Sequence, residues 1–104
     1  MNKNKYVYGN KNVYNINYHI IWIPKYRKHI LKGKIKEIMI EALLFKANEL
    51  KIKIDKYEIM EDHIHLFIKC SPNHTISKII MHLKGYSSFL LRYRYPKYRK
   101  YKHL

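Results

Sequence analysis

The sequence predicts a small α+β domain built on an antiparallel sheet. Three observations carry that expectation. Residues His63 to Cys70 place an aliphatic residue or cysteine at every second position, with His, Phe or Lys between. Residues Val13 to Ile23 alternate in the same way. Two longer stretches, from Gly33 to about Leu50 and from about Thr75 to Leu91, instead repeat their apolar residues every three or four positions. A period of two belongs to half-buried strands and a period near 3.6 to helices with one buried face.

The first strand is expected over 13–23. Tyr14, Ile16, Tyr18, Ile20 and Trp22 fall on one side, Asn15, Asn17 and His19 on the other, and Pro24 ends it. A basic connection, Lys25-Tyr26-Arg27-Lys28, leads to Gly33 and the first helix, whose core stripe is Ile35, Ile38, Met39, Ala42 and Leu43. A second strand is expected from Lys51 to Met60, although Ile52, Ile54, Tyr57 and Ile59 alternate only in part. After the acidic turn Glu61-Asp62, the third strand places Ile64, Leu66, Ile68 and Cys70 on one face. His63, His65, Phe67 and Lys69 share the other. Thr75 or Asn73 is the expected cap of a second helix with Ile76, Ile79, Ile80, Leu83 and Leu90 inward, weakened or bent at Gly85. The order strand, helix, strand, strand, helix is that of a ferredoxin-like βαββα unit without its closing strand. Residues 1–12 read as a basic N-terminal arm, 13–91 as the single domain, and 92–104 as a basic-aromatic tail.

Composition narrows the function. Twenty-two Lys and Arg face seven Asp and Glu, for a formal charge of +15. All seven acids lie between Glu37 and Asp62. A polyanion is the expected partner, because phosphates bound by Lys and Arg release condensed counterions. A merely solubilising surface is the plainer account of the same charge. The single cysteine, Cys70, excludes an internal disulfide. No run of about 18 apolar residues is present, so no membrane partner and a cytoplasmic setting are expected.

His63-Ile64-His65 is the sharpest local feature. Two residues two apart on a strand leave it on the same side, with Cα atoms about 6.5–7 Å apart. Their rings can converge on one cation, held rigidly because Ile64 and Leu66 anchor the opposite face. In a chain with seven histidines, a pair of solvated or hydrogen-bonded rings is the more economical account of the pattern alone. His19 can lie on the histidine face of a neighbouring strand. No His-Glu-x-x-His is present, so a helical zinc hydrolase site is not expected. Two histidines completed by oxygen ligands suit Mg²⁺ or Mn²⁺ at a phosphate.

The segments Tyr18-His19-Ile20-Ile21-Trp22-Ile23-Pro24-Lys25-Tyr26-Arg27, Glu58-Ile59-Met60-Glu61-Asp62-His63-Ile64-His65-Leu66-Phe67 and Leu83-Lys84-Gly85-Tyr86-Ser87-Ser88 occur in that order. Together they resemble the insertion-sequence-two-hundred-like, single-tyrosine HUH transposases, over about residues 14–97. The resemblance implies a dimeric ferredoxin-like domain that recognises hairpins in single-stranded DNA. It implies that His63 and His65 hold a divalent metal, Mg²⁺ or Mn²⁺, while a tyrosine on a late helix attacks a phosphodiester. Lys25, Arg27, Lys28, Lys84, Arg92 and Arg94 are the expected contacts to nucleic acid.

Two departures from that family are visible. Glu61 stands where the family has Pro, a change expected to loosen the turn. The family also continues into a closing strand and a helix bearing the tyrosine and a third metal ligand, neither of which the sequence contains before Leu104. The chain is therefore expected to lack its own nucleophile and to cut DNA only with a full-length partner. Tyr93, Tyr95, Tyr98 and Tyr101 suit base stacking or packing better than attack, since an unpositioned phenol with a pKa near ~10 is a poor nucleophile. The uncovered sheet edge favours a homodimer. The rival expectation is a non-enzymatic binder of single-stranded DNA or RNA with the same fold.

Overall fold

The computed structural model of the protein describes residues 15–23 and 31–98. Its elements are β1 (Ile16–Trp22), α1 (Gly33–Leu50), β2 (Lys53–Ile59), β3 (Ile64–Cys70), α2 (Ile76–Arg94) and a 3₁₀ turn at Pro96–Tyr98. The strands form an antiparallel sheet in the order β1-β3-β2, so the histidine-bearing strand is central. This is the expected α+β arrangement. The arm at 1–12, the connection holding Lys25, Arg27 and Lys28, and the last residues of the tail lie outside the described residues.

Register follows from the hydrophobic pattern, because a slip of one residue would turn every core side chain outward. Trp22, Ile64 and Ile59 form one row across the sheet, and Ile20, Leu66 and Tyr57 the next. Apart from the exposed Tyr57, these rows meet Ile35, Ile38, Met39, Ala42 and Leu43 from α1 and Ile79, Leu83, Leu90 and Leu91 from α2 in one core. Both helices thus cover the same face and leave the other open. Ile64, Leu66 and Cys70 are fully buried there. Burial pushes the Cys70 thiol above its ordinary pKa, which leaves it a small apolar filler rather than a nucleophile.

The incomplete alternation of β2 has a definite cause. Ile54 pairs with Ile68 but Lys56 pairs with Phe67, so Asp55 is an extra residue bulged out of the ladder. The bulge inserts one position between Ile54 and Tyr57, which shifts the apolar spacing from two to three. Lys56 and Glu58 consequently share the open face with Phe67 and His65.

α1 begins at Gly33, whose φ of +57° is easy for glycine and strained for other residues. It ends at Lys51 in the left-handed region, whose N–H returns to the carbonyls of Ala47 and Asn48. Thr75 caps α2 by accepting from the Lys78 N–H. The helix differs from expectation in two respects. It passes Gly85 without interruption and continues beyond Leu91 to Arg94, so the first three residues of the expected tail are helical. Its inward face also includes Ser87 and Ser88, and the Ser87 hydroxyl donates to the Leu83 carbonyl, which satisfies a buried polar group within the helix. Tyr95 then leaves the helical region, with φ −129° and ψ 84°, as the residue before a proline is disfavoured from it. Among the described residues no helix is long and apolar enough to cross a membrane.

Candidate metal and nucleic-acid site

The open face of the sheet can be read row by row from the pairing. Ile21, His65 and Glu58 form one row, His19, Phe67 and Lys56 the next, and Asn17, Lys69 and Lys53 the last. His63 sits immediately before β3, beside Asp62. The ring centroids of His63 and His65 are 4.9 Å apart and tilted by 59°. Both side chains are half-buried, neither sealed in the core nor free in solvent. The two imidazoles therefore leave the ribbon together on the side away from the helices.

Each ring has a partner at Nδ1. The His63 Nδ1 lies 2.8 Å from the Asp62 carboxylate, and the His65 Nδ1 lies 3.3 Å from the His19 Nε2. His19 in turn stacks on Phe67, with centroids 4.1 Å apart and planes within 14°. The Lys56 ammonium stands 5.8 Å from the Phe67 ring centre. Cross-strand pairing places His19 opposite Phe67, so the stack is a consequence of register. Beside it, a shallow cavity of about 300 Å³ is lined by Asn17, His19, Asp55, Phe67 and Lys69, among others. Ile21, the pairing neighbour of His65, remains 59% exposed.

The turn before the histidines, where Glu61 stands, is closed by backbone hydrogen bonds. Met60 N–H donates to the His63 carbonyl at 2.9 Å, and the Glu61 carbonyl accepts from Leu31 N–H at 3.1 Å. His74 takes a different role. Its Nε2 donates to the Leu50 carbonyl at 2.8 Å, while Nδ1 lies 3.2 Å from the Ser71 hydroxyl. It ties the entry to α2 onto the end of α1.

Of the expected basic contacts, the three among the described residues do not gather at the histidines. Lys84, Arg92 and Arg94 all lie on α2, behind the sheet. The Lys84 ammonium stands 5.6 Å from the centre of the Trp22 ring. Arg94 makes a two-pronged pair with Glu41, at 2.8 and 2.6 Å. That hydrogen bond, and the guanidinium charge behind it, hold the Glu41 carboxyl below its ordinary pKa. A depressed carboxyl contributes stability that is present above its unfolded pKa and lost as pH falls through its folded one. The thermal midpoint of Glu41→Gln is accordingly expected slightly below that of the parent at neutral pH. The gap should close in acid below the usual carboxylate range. It should be small at any pH, because the pair is exposed.

Among the described residues, the cations on the histidine face are instead Lys53, Lys56 and Lys69. The alternation of β3 already placed Lys69 there. Lys53 follows from its place between Ile52 and Ile54, Lys56 was hidden by the bulge, and the pairing role of Asp62 has no periodic signal. The tyrosines whose side chains are described lie elsewhere. Tyr18 and Tyr57 pair with Ile68 and Leu66 on the core side, Tyr86 and Tyr93 belong to α2, and Tyr95 packs against the core.

The donor set can be tested against a divalent ion by its chemistry. Two neutral imidazoles whose Nδ1 atoms are engaged can each offer Nε2, which fits two positions of a metal with oxygen ligands in the others. Among the described residues no group of three His, Cys, Asp or Glu side chains is placed to hold a metal. Among the described residues the donor set is thus limited to the two histidines.

Comparison with known proteins gives this geometry its context. The family model described as IS200-like transposase matches residues 12–104. The chain belongs to the IS200-like transposase family. It is 30% identical over 92 residues to the ISDra2 transposase TnpA of Deinococcus radiodurans, across 88% of this chain and 66% of that protein. It is 35% identical over 79 residues to the transposase for insertion sequence element IS200 of Salmonella typhimurium, across 75% of this chain and 51% of that protein. The chain therefore spans between half and two thirds of these relatives. The fold superimposes with a TM-score of 0.81 on the crystal structure of a Deinococcus radiodurans protein described as a transposase. That match has 27% identity and covers 92% of this chain and 76% of the other. An IS200-like transposase thus accounts for the order of elements and for all three motifs.

Proposed function

We propose that this transposase-family chain binds single-stranded hairpin DNA and grips Mg²⁺ or Mn²⁺ through His63 and His65 for strand cleavage and rejoining. The carrying observation is the pair of imidazoles 4.9 Å apart on a central strand whose other face is buried. A divalent ion bound there would draw negative charge from a backbone phosphate as the bond breaks. Lys53, Lys56 and Lys69 lie along the same face and would hold the flanking phosphates, while Asn17 and the neighbouring cavity leave room for a nucleotide. This reading places the DNA track on the sheet rather than along Lys84, Arg92 and Arg94.

The attacking tyrosine is assigned to a residue other than those described, contributed by a further segment or by a second transposase subunit. Support comes from the positions of Tyr18, Tyr57, Tyr86 and Tyr93, none of which shares the histidine face. A dimer, or a pairing with a longer transposase, would complete the site, and a cytoplasmic setting goes with access to DNA. Incubation of the purified chain with a labelled hairpin oligonucleotide and Mn²⁺ tests this. Binding strengthened by Mn²⁺, with no covalent protein–DNA band, is the expected result. A covalent band from this chain alone would overturn the placing of the nucleophile.

A second reading rests on a separate observation. Phe45, Tyr86, Phe89 and Tyr93 form a ladder on the helix layer, with successive ring centroids 5.2, 6.1 and 5.9 Å apart. The Lys46 ammonium stands 4.8 Å from the Tyr86 ring centre. Such a ladder suits bases stacked without chemistry. Binding that ignores both chelation of divalent ions and loss of the histidines would favour this reading.

A further inference from the structure

We infer that Asp62 and His19 are positioning residues that fix the tautomers of His63 and His65, so that both Nε2 atoms are bare before any metal arrives. The inference rests on the metal-binding reading above for its purpose, but not for its geometry.

An ionised carboxylate has no proton to give. With Asp62 as a carboxylate, the contact of 2.8 Å between it and the His63 Nδ1 places the proton on Nδ1. In the neutral ring Nε2 is then unprotonated and able to donate its lone pair. The second contact, 3.3 Å between His65 Nδ1 and His19 Nε2, shares one proton between two rings. If His65 donates, its Nε2 is bare. If His19 donates, the His65 Nε2 carries hydrogen and cannot bind a cation. The first allocation makes both histidines of the motif equivalent, each donating at Nδ1 and open at Nε2.

What holds His19 in place favours this role. Its ring lies flat on Phe67, its cross-strand partner, and Lys56 approaches the same Phe67 ring. The acceptor nitrogen is therefore presented by packing rather than by a freely turning side chain. A partner that orients a ligand's imidazole and raises its basicity commonly changes metal affinity by about 10- to 100-fold when removed. The row Asp62, His63, His65, His19, Phe67 thus runs along the open face as one connected device, with acceptors outside and two ligand nitrogens between them.

The test uses the full chain with ¹⁵N-labelled histidine and no metal. Long-range ¹H–¹⁵N spectra at a pH where the rings are neutral are expected to show His63 and His65 both protonated at Nδ1. Asp62→Ala should move His63, and His19→Phe should move His65, toward the Nε2-protonated form. His19→Phe keeps a ring to stack on Phe67 but removes the acceptor. Asp62→Asn keeps an acceptor and should preserve the His63 tautomer. With Mn²⁺ alone as probe, Asp62→Ala and His19→Phe should each weaken binding about 10- to 100-fold, and Asp62→Asn should recover most of it.

Either parent ring protonated at Nε2, or tautomers unmoved by both variants, would overturn the inference. So would Asp62→Asn binding Mn²⁺ as poorly as Asp62→Ala, since Asp62 would then act as a direct ligand or a charge. The predicted tautomers together with no Mn²⁺ binding at millimolar concentration would support the positioning and sink the metal reading. The two failures are therefore separable.

Discussion

Leu66→Ala is expected to lower stability by about 3 to 5 kcal/mol, the upper part of the range for emptying a fully buried leucine site. Leu66 is fully buried at the middle of the central strand, paired with Ile20 on one side and Tyr57 on the other. Strand neighbours on both sides and helices below leave the backbone little freedom to collapse into the space. A small domain has in total only about 5–15 kcal/mol of stability, so this one truncation removes a large share. In urea the midpoint should fall by on the order of 1–5 M with the slope unchanged, given slopes of about 1–3 kcal/mol per M. A loss below about 1 kcal/mol would mean that the strand is not packed as described. The substitution also removes the support on which His65 and Phe67 stand. Loss of nucleic-acid or metal binding in this variant therefore reports on the fold rather than on the site.

The opposite signature is expected of the His63→Ala, His65→Ala double variant. Both rings are half-buried on the open face and contribute nothing to the apolar core, so the unfolding transition should stay close to the parent's, within about 1 kcal/mol. Mn²⁺ binding should fall by more than the roughly 100-fold that loss of an outer partner alone can cause. Any Mn²⁺-dependent gain in hairpin affinity should disappear. The metal-independent part should persist, because Lys53, Lys56 and Lys69 are untouched, and it should weaken steeply with salt at a slope of about −0.7 per phosphate contacted. A variant that keeps its Mn²⁺ response would contradict the assignment, and the aromatic ladder on the helix layer would become the better account of DNA affinity.

The contrast between these variants reflects what was legible in the sequence. Alternation in β3 fixed the division between Ile64, Leu66, Ile68 and Cys70 below and His65, Phe67 and Lys69 above, because any other register would expose four apolar side chains. Spacings of three and four gave α1 its limits, with Gly33 at one end. β2 was legible only in part, since the bulged Asp55 shifts the period halfway along and conceals that Lys56 faces the histidines. The end of α2 was obscured for another reason. Arg92-Tyr93-Arg94 reads as a charged tail, yet Leu90 and Leu91 still face the core and nothing stops the helix until Tyr95 precedes Pro96. The buried serines show that small hydroxyls able to bond back to their own helix carry no hydrophobic signal.

At the site itself, the sequence shows that His63 and His65 share a side, because that is a property of strand geometry. It cannot show which atoms face outward, because the contacts at Nδ1 depend on tertiary partners. Asp62 is adjacent in sequence but only the turn closed between Met60 and His63 brings its carboxylate to the ring. His19 is distant in sequence and reaches His65 through the pairing of β1 with β3. The charge of the chain was legible as a total but not as a map. Arg94 is neutralised by Glu41 on the helices, while three lysines line the open face of the sheet.

The central claim is that the rings of His63 and His65 take hold of one divalent ion together. Pulsed electron paramagnetic resonance of Mn²⁺ bound to the full chain tests it most directly. Modulation is expected from two imidazole nitrogens in the parent, from one in either single alanine variant, and from none in the double variant. A spectrum indistinguishable from fully hydrated Mn²⁺ in the parent, or nitrogen couplings that survive in the double variant, would contradict it.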